Sequence, residues 1–270
     1  MNDPFPQILK KNLLAIRQTH PIVHHITNLV TINSCANITT AIGASPVMAS
    51  AKEEAGQITA FSSALVLNTG TPDHNRIITT VLSGRAANIN NIPVILDPVG
   101  VGATDFRLEH LKKLIHEVQP SIIKGNLAEL KTLSGLSLKI NGLIDSVDKE
   151  DASTLDTLKK LSKRLNCVIA LTGKEDLITD GQRVCRIKRG TDMFTFISGA
   201  GCITSSVMGA FSAVEKDMFM AAVCALYTMA ICGEKAAAKS NGPGDFYPNL
   251  LNHVFNLHDY DIDEEGVLFE

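Results

Sequence analysis

The chain has 270 residues, an apolar fraction of 45% and a formal net charge of −3. Acidic and basic residues are mixed along it, so neither nucleic acid nor an anionic membrane is expected as a partner. The length predicts one domain spanning residues 1–270. Six cysteines without CxxC spacing favour free thiols in a reducing compartment, hence a cytoplasmic protein.

Short runs of Val, Ile and Leu alternate with helical patterns along most of the chain. The predicted strands are Ile22–His25, Ala64–Leu67, Val94–Leu96, Ile122–Ile123 and Val168–Leu171. The predicted helices are Phe5–Thr19, Thr31–Ile42, Lys52–Phe61, Asp73–Asn88, Phe106–Val118, Leu127–Thr132 and Ala152–Leu165. Strands this apolar are covered on both faces. The alternation therefore predicts an α/β fold of three layers, with helices on both faces of a mostly parallel central sheet.

The last hundred residues follow a different pattern. Asp176–Thr179 and Arg183–Lys188 flank Gly181 and predict a hairpin at an antiparallel edge of the sheet. Residues 201–258 are predicted to be helical with breaks near 215–217 and 242–244, and the apolar run from Met218 to Gly233 predicts a buried helix. The acidic end is predicted to be a solvated tail (Asp259, Asp261, Asp263, Glu264 and Glu265).

A glycine loop, Ser198-Gly-Ala-Gly-Cys202, precedes one of these helices. The glycines let the backbone approach a ligand closely, and a helix start presents free N–H groups and a positive dipole end. The backbone of Gly199, Ala200 and Gly201 therefore suits an anion such as a transferring phosphoryl group. Cys202 lies where a thiolate is favoured. The alternative is a tight turn into a packed helix.

Two carboxylates follow neighbouring strands. Asp97 ends the strand before a Pro-Val-Gly turn, and Glu129 lies in the first turn of the helix that Asn126 begins. Both are expected at the carboxyl ends of the strands, where ligands bind in open α/β sheets, and together they could hold a magnesium–phosphate cluster. The alternatives are a turn aspartate and a capping box of Asn126 with Glu129.

Two further residues at strand ends could contact phosphate. Lys124 ends one strand and would supply a cation, while Thr172 follows the next strand and could donate a hydrogen bond. Neither a GxxxxGK[ST] loop nor a GxGxxG motif after a strand is present, so a nucleotide must bind by another design.

Six segments taken together resemble one family. They are residues 24–28 (HHITN), 43–49 (GASPVMA), 64–68 (ALVLN), 97–104 (DPVGVGAT), 124–126 (KGN) and 199–202 (GAGC). The set resembles the hydroxyethylthiazole kinases of the ribokinase-like group. The resemblance runs from about Pro21 to about Ala213, and the GASPVM and DPVGVGAT strings are its most specific parts.

The resemblance implies ATP-dependent phosphorylation of 4-methyl-5-(2-hydroxyethyl)thiazole in thiamine salvage, with Mg²⁺ as cofactor. It implies a homotrimer with active sites between subunits. It assigns substrate contact to Met48, Gly199 and Asn28, ATP contact to Lys124 and Thr172, and the magnesium–phosphate cluster to Asp97 and Glu129.

Departures from the family pattern affect individual roles. Lys124 stands where the family usually has Arg, so the bidentate fork is lost although the charge remains. Ser198 stands where Thr is usual. Cys202 stands where most ribokinase-like kinases place an aspartate base, and we expect it to play a modest part in catalysis.

Other functions remain open. Hydroxymethylpyrimidine kinases and ATP-dependent hydratases of damaged nicotinamide cofactors share the scaffold, although Met48 in its Ser-Pro-Val-Met context favours the thiazole. A non-catalytic nucleotide-sensing or scaffold protein is the alternative from another class, suggested only by Lys124 and Cys202.

Overall fold

A mixed β-sheet forms the centre of the molecule. The structure, a computed structural model, describes residues 4–138, 152–258 and 262–270. Its strands are β1 Ile22–Ile26, β2 Ser45–Val47, β3 Ala64–Asn68, β4 Val94–Asp97, β5 Ile122–Gly125, β6 Val168–Leu171, β7 Asp176–Thr179, β8 Val184–Ile187 and β9 Val267–Phe269. Their order is β2-β1-β3-β4-β5-β6-β7-β8-β9. The pairs from β2 to β6 are parallel, and those from β6 to β9 are antiparallel.

Helices cover both faces of this sheet. They are α1 Phe5–Thr19, α2 Ile32–Ile42, α3 Ala55–Ala60, α4 His74–Ile89, α5 Asp105–Glu117, α6 Leu127–Leu138, α7 Ala152–Leu165, α8 Ala200–Ser212, α9 Met218–Ala237 and α10 Pro243–Phe255. One apolar core lies between the sheet and α1, α2 and α8–α10, and the other lies between the sheet and α3–α7. The predicted three-layer α/β fold is confirmed.

The strands supply both cores by the alternation of their side chains. Val66 of β3 packs into the first core, whereas its neighbours Leu65 and Leu67 pack into the second. All three side chains are buried. This is why the strand runs are uniformly apolar.

Two edge strands were not predicted. β2 is only three residues long and contains Pro46, which has no N–H for a ladder and is tolerated at a sheet edge. β9 lies at the other edge. The acidic residues Asp263, Glu264 and Glu265 before it are exposed to solvent, as predicted, but this part of the chain is held against the protein and is not a free tail. Asp263 accepts hydrogen bonds from Tyr227 Oη at 2.8 Å and from Arg189 at 2.9 Å. Asp259 and Asp261 lie outside the described residues.

Helix α9 is the longest helix of the described chain and is strongly apolar. By length and composition it could cross a membrane, but 83% of its most apolar window is buried inside the protein. It packs between α8 and α10. The prediction of a buried core helix is therefore confirmed.

Two buried histidines make stability depend on pH. Burial lowers the pKa of His25 to about 4, and burial with the nearby charges of Lys113 and Arg107 does the same for His110. Neither ring nitrogen of His110 has a hydrogen-bond partner among the described residues. The unfolded chain therefore binds more protons than the folded one between pH 6.5 and 4.

We expect full stability above pH 6.5, and a loss of up to about 1.4 kcal/mol per pH unit for each histidine as the pH falls through this window. Urea unfolding at pH 7.5 and pH 5 measures the difference. His110→Leu is expected to flatten the slope and to be more stable at both pH values, because no unpaired polar ring remains buried. Equal slopes for both proteins would contradict this account of His110.

Candidate active site

Polar side chains gather where the parallel strands end. Asn68 closes β3 and Asp97 closes β4, and the register pairs these two residues directly. Lys124 lies near the end of β5, and Thr172 follows β6. The strand ends thus bring together residues that are far apart in the sequence. This was predicted for Asp97, Lys124 and Thr172, but not for Asn68.

The glycine loop meets this edge of the sheet at the start of α8. Gly199 precedes the helix with a φ of +82°, and no side chain caps the first N–H groups. A Cβ on Gly199 would lie 2.1 Å from Thr31 Cγ2. Both the left-handed backbone and this close packing require glycine. The loop therefore presents free N–H groups and the positive end of the helix dipole, as the anion-binding interpretation needs.

Asp97 is the most tightly held carboxylate of the site. It is 1% exposed. Its Oδ2 accepts hydrogen bonds from Asn68 Nδ2 and Ser205 Oγ, both at 2.9 Å. Its Oδ1 lies 3.4 Å from Lys124 Nζ. The charge is therefore balanced and oriented within the protein.

Lys124 lies beneath the glycine loop. It is 2% exposed, and its Nζ donates to the carbonyl of Gly201 at 2.9 Å. A Cβ on Gly201 would lie only 2.9 Å from the same nitrogen. Lys124 thus ties the loop to Asp97.

The environment of Cys202 opposes ionisation. The side chain is 7% exposed. Burial and the negative charge of Asp97 raise the pKa of the thiol, although a hydrogen bond from Thr31 and the charge of Lys124 act in the other direction. The expectation that the helix start favours a thiolate is wrong for the free protein, because desolvation outweighs the dipole.

Glu129 makes a capping box and also touches the loop after Asp97. Its Oε2 accepts from the N–H of Asn126 at 2.9 Å, and its own N–H donates to Asn126 Oδ1 at 3.0 Å. Its Oε1 accepts from the N–H of Gly100 at 3.0 Å. The structural alternative is confirmed, and the same carboxylate lies beside Gly125 at the end of β5.

The two substrate-contact candidates lie on different elements. Asn28 is buried after β1, and its Nδ2 donates to Cys202 Sγ at 3.3 Å. Met48 follows β2, is half-buried and packs against the first core. His24 fixes the adjacent backbone, because its Nε2 lies 2.8 Å from the carbonyl oxygen of Ala49. Asn28 is thus in direct contact with the glycine-loop helix.

A cleft of about 720 Å³ opens beside the glycine loop. Ala200 and Gly201 form one wall, and Thr172 and Gly173 form another. The remaining walls come mainly from the segment after β8 and from α9 (Lys188, Arg189, Gly190, Thr191, Asp192, Phe194, Thr195, Leu226, Met229, Ala230 and Glu234). The cleft is large enough for a nucleotide.

Several residues of the site were not predicted. Asn68 and Ser205 both hold Asp97. A polar residue that ends a buried strand was a usable signal for Asn68, and Ser205 lies one helical turn beyond Gly201, on the same face of α8. Arg189 and Glu234 pair at 2.6 Å at the cleft wall. They come from separate elements, and no local motif marks them.

Comparison with known proteins agrees with this site. The model of the hydroxyethylthiazole kinase family matches residues 13–260. The chain belongs to the hydroxyethylthiazole kinase family. A hydroxyethylthiazole kinase of Methanosarcina acetivorans is 46% identical over 260 residues, covering 96% of this chain and 95% of that protein. The residues matched by the family model span all six segments that carried the resemblance.

Solved structures support the fold of this family. Hydroxyethylthiazole kinase from Pyrococcus horikoshii OT3 superposes with a TM-score of 0.88 at 30% identity, covering 98% of both chains. A ribokinase-like superfamily protein from Enterococcus faecalis superposes with a TM-score of 0.63 at 12% identity, covering 92% of this chain and 93% of that one. The second likeness bears on the fold alone. The ribokinase-like architecture is confirmed.

Proposed function

We propose that this chain transfers the γ-phosphoryl group of ATP to the hydroxyl of 4-methyl-5-(2-hydroxyethyl)thiazole, as a thiamine-salvage kinase acting within a single domain. The observation that carries the proposal is the uncapped start of α8, at which Ala200 and Gly201 border a nucleotide-sized cleft. Membership of the hydroxyethylthiazole kinase family supports the choice of acceptor.

ATP would lie in the cleft with its γ-phosphoryl group at the glycine loop. The N–H groups of Ala200, Gly201 and Cys202 would hold the equatorial oxygens, and the helix dipole adds to their effect. Thr172 borders the cleft and its hydroxyl can turn to a phosphate. Lys124 contributes positive charge from beneath the loop while holding the Gly201 carbonyl.

Asp97 and Glu129 have free carboxylate lone pairs that could bind a magnesium ion. Among the described residues Asp97 accepts from three donors and Glu129 from two, whereas a carboxylate offers about four acceptor positions. Each therefore keeps acceptor capacity for a hard cation, Glu129 more than Asp97. These two residues would hold the ion, which supplies positive charge to the phosphate oxygens during transfer.

The acceptor alcohol would be oriented from the opposite side by Asn28 and Met48. Phosphoryl transfer is loose and needs little removal of the hydroxyl proton early in the reaction, so positioning and charge stabilisation dominate the rate. A thiol whose pKa is raised stays protonated at neutral pH, so little thiolate is present to accept the hydroxyl proton. Cys202 therefore shapes the site and takes at most a late proton.

Replacement of Cys202 tests this modest role. Cys202→Ala is expected to keep measurable turnover, with kcat lowered about tenfold to a hundredfold. A full general base contributes about 10²–10⁴-fold, so a loss no larger than the bottom of that range fits a modest role. Steady-state kinetics with circular dichroism as a folding check measures it. Abolished turnover in folded Cys202→Ala would contradict the modest role, as would a large loss in Cys202→Asp.

The assembly and location follow from the same assignment. We propose a cytoplasmic homotrimer with its active sites between subunits. Exposed apolar side chains near the substrate side support a contact there, among them Leu29 and Val30, which follow Asn28 and are each 66% exposed. The six buried free cysteines suit a reducing compartment.

The function is tested by product formation from ATP, Mg²⁺ and purified protein. Hydroxyethylthiazole and hydroxymethylpyrimidine are offered separately, with a control lacking any acceptor. Phosphate ester from the thiazole alone is the expected result. Bound ATP without any product would favour a non-catalytic nucleotide-binding protein, and product from the pyrimidine alone would reassign the acceptor.

A further inference from the structure

Asn68 lies at the centre of the hydrogen-bond network under the glycine loop. It is 1% exposed and closes β3 opposite Asp97. Its Nδ2 donates to Asp97 Oδ2 at 2.9 Å and to Cys202 Sγ at 3.3 Å. Its Oδ1 accepts from the N–H of Gly70 at 2.9 Å and from Asn28 Nδ2 at 3.0 Å. One amide therefore uses all four of its hydrogen-bonding positions within the site.

The chemistry of these partners fixes the orientation of the amide. The backbone N–H of Gly70 can only donate, so it must face Oδ1, and an ionised Asp97 can only accept, so it must face Nδ2. In a flipped Asn68, Nδ2 would face two donors, the N–H of Gly70 and Asn28 Nδ2. Its Oδ1 would face two acceptors, the Asp97 carboxylate and the Cys202 sulfur. The second N–H of Nδ2 is thereby aimed at the Cys202 sulfur.

The sulfur of Cys202 also accepts a hydrogen bond from a second amide, that of Asn28. Asn28 Oδ1 accepts from the backbone N–H groups of Val30 and Thr31, which leaves Asn28 Nδ2 to donate to Asn68 and to Cys202 Sγ. The sulfur is thus held between two amide donors. Asn68 stands between it and the Asp97 carboxylate.

We infer that Asn68 is a positioning residue for phosphoryl transfer, fixing with one amide both the Asp97 carboxylate and the Cys202 sulfur at the start of α8. This inference rests on the proposed function for its kinetic consequence. It follows from the fact that Asn68 alone bonds both groups among the described residues.

Loss of the amide would leave two acceptors facing each other. The Cys202 side chain can adopt three staggered rotamers, and in one of them its S–H could donate to the Asp97 carboxylate. Asp97 would keep Ser205 and Lys124 as partners, but lose the donor that sets its plane. The Asp97 carboxylate would consequently shift relative to the glycine loop, which holds the phosphoryl group.

Asn68→Ala and Asn68→Asp test the inference together. We expect each to lower kcat by about 10²-fold with little change in the KM for ATP, because a displacement of about 1 Å at a reacting centre costs that much. Asn68→Asp keeps the size of the side chain and an acceptor for Gly70 but removes both N–H donors. Because Asn68→Asp also places a second carboxylate against Asp97, the uncharged Asn68→Leu is compared with it. A purely space-filling role predicts normal kcat for Asn68→Leu, whereas the positioning role predicts the same loss as in Asn68→Ala.

Asn12→Ala provides the matched control. Asn12 is also buried, and its Nδ2 donates to Glu215 Oε2 at 2.9 Å, beyond the opposite end of α8. We expect it to lose stability as Asn68→Ala does while keeping the wild-type kcat. An equal loss of kcat in Asn12→Ala would assign the effect to stability and overturn the inference.

A crystal structure of Asn68→Ala gives a readout that does not depend on the assay. We expect the Cys202 sulfur to change rotamer towards Asp97. An unmoved sulfur and carboxylate, or a kcat within about twofold of wild type, would overturn the positioning role. Wild-type protein that fails to phosphorylate the thiazole would instead count against the proposed function, and the crystal structure would still decide the role of Asn68.

Discussion

Gly199→Ala is expected to lower kcat by about 10²-fold or more. The new Cβ would lie 2.1 Å from Thr31 Cγ2, and the backbone has a φ of +82°, where side chains other than hydrogen are strained. The loop must therefore move, and its N–H groups would no longer meet the phosphoryl oxygens. Steady-state kinetics measures the effect, with thermal unfolding to confirm that the variant is folded.

Two further variants distinguish an effect on the glycine loop from a general loss of stability. Thr31→Ser removes the clashing methyl group, so Gly199→Ala/Thr31→Ser is expected to recover part of kcat. Gly181→Ala is the matched control, because Gly181 has a φ of +89° and a Cβ there would lie 2.7 Å from Lys163 Cγ, in the hairpin turn between β7 and β8. It is expected to cost stability and leave kcat unchanged. A normal kcat for Gly199→Ala would show that loop geometry does not limit the reaction.

Asp97→Asn is expected to have the largest combined effect on activity and stability. It removes one of the two carboxylates proposed to hold the magnesium ion, and so weakens the positive charge at the phosphoryl group, which we expect to lower kcat by about 10²–10³-fold. It also leaves Lys124 buried without its ion pair, which costs about 3–5 kcal/mol in the free energy of unfolding. Chemical unfolding and steady-state kinetics on the same preparation measure the two losses.

A double variant distinguishes these two causes. In Asp97→Asn/Lys124→Met the uncompensated charge is gone, so most of the lost unfolding free energy is expected to return while kcat stays low. Recovery of kcat together with stability would mean that Asp97 acts only by balancing Lys124. An unchanged stability of Asp97→Asn would contradict the buried ion pair itself.

The predictable part of the site follows from local rules. Asp97, Lys124 and Thr172 end apolar strands, and parallel strands present such residues at one edge, so their convergence could be read from hydrophobic runs alone. Gly199 could be recognised as a candidate because a glycine loop before a helix suits an anion, although a tight turn into a packed helix was the alternative. The alternation of strands and helices likewise determined the layers of the fold.

The remaining features depend on contacts between distant segments. Burial of Lys124 under the Gly201 carbonyl, and the rise in the pKa of Cys202, both arise from packing of α8 against the sheet. A helix-start rule cannot anticipate such desolvation. β9 likewise depends on pairing with β8 across a long stretch of chain, which an acidic sequence pattern does not indicate.

A structure of the protein with Mg²⁺, a non-hydrolysable ATP analogue and hydroxyethylthiazole tests the central claim most directly. The account predicts the triphosphate in the cleft beside Thr172, with the γ-phosphate at the N–H groups of the glycine loop. It predicts the thiazole hydroxyl in line with that phosphorus, and the ring near Asn28 and Met48. A triphosphate bound away from the start of α8, or a thiazole remote from Met48, would contradict it.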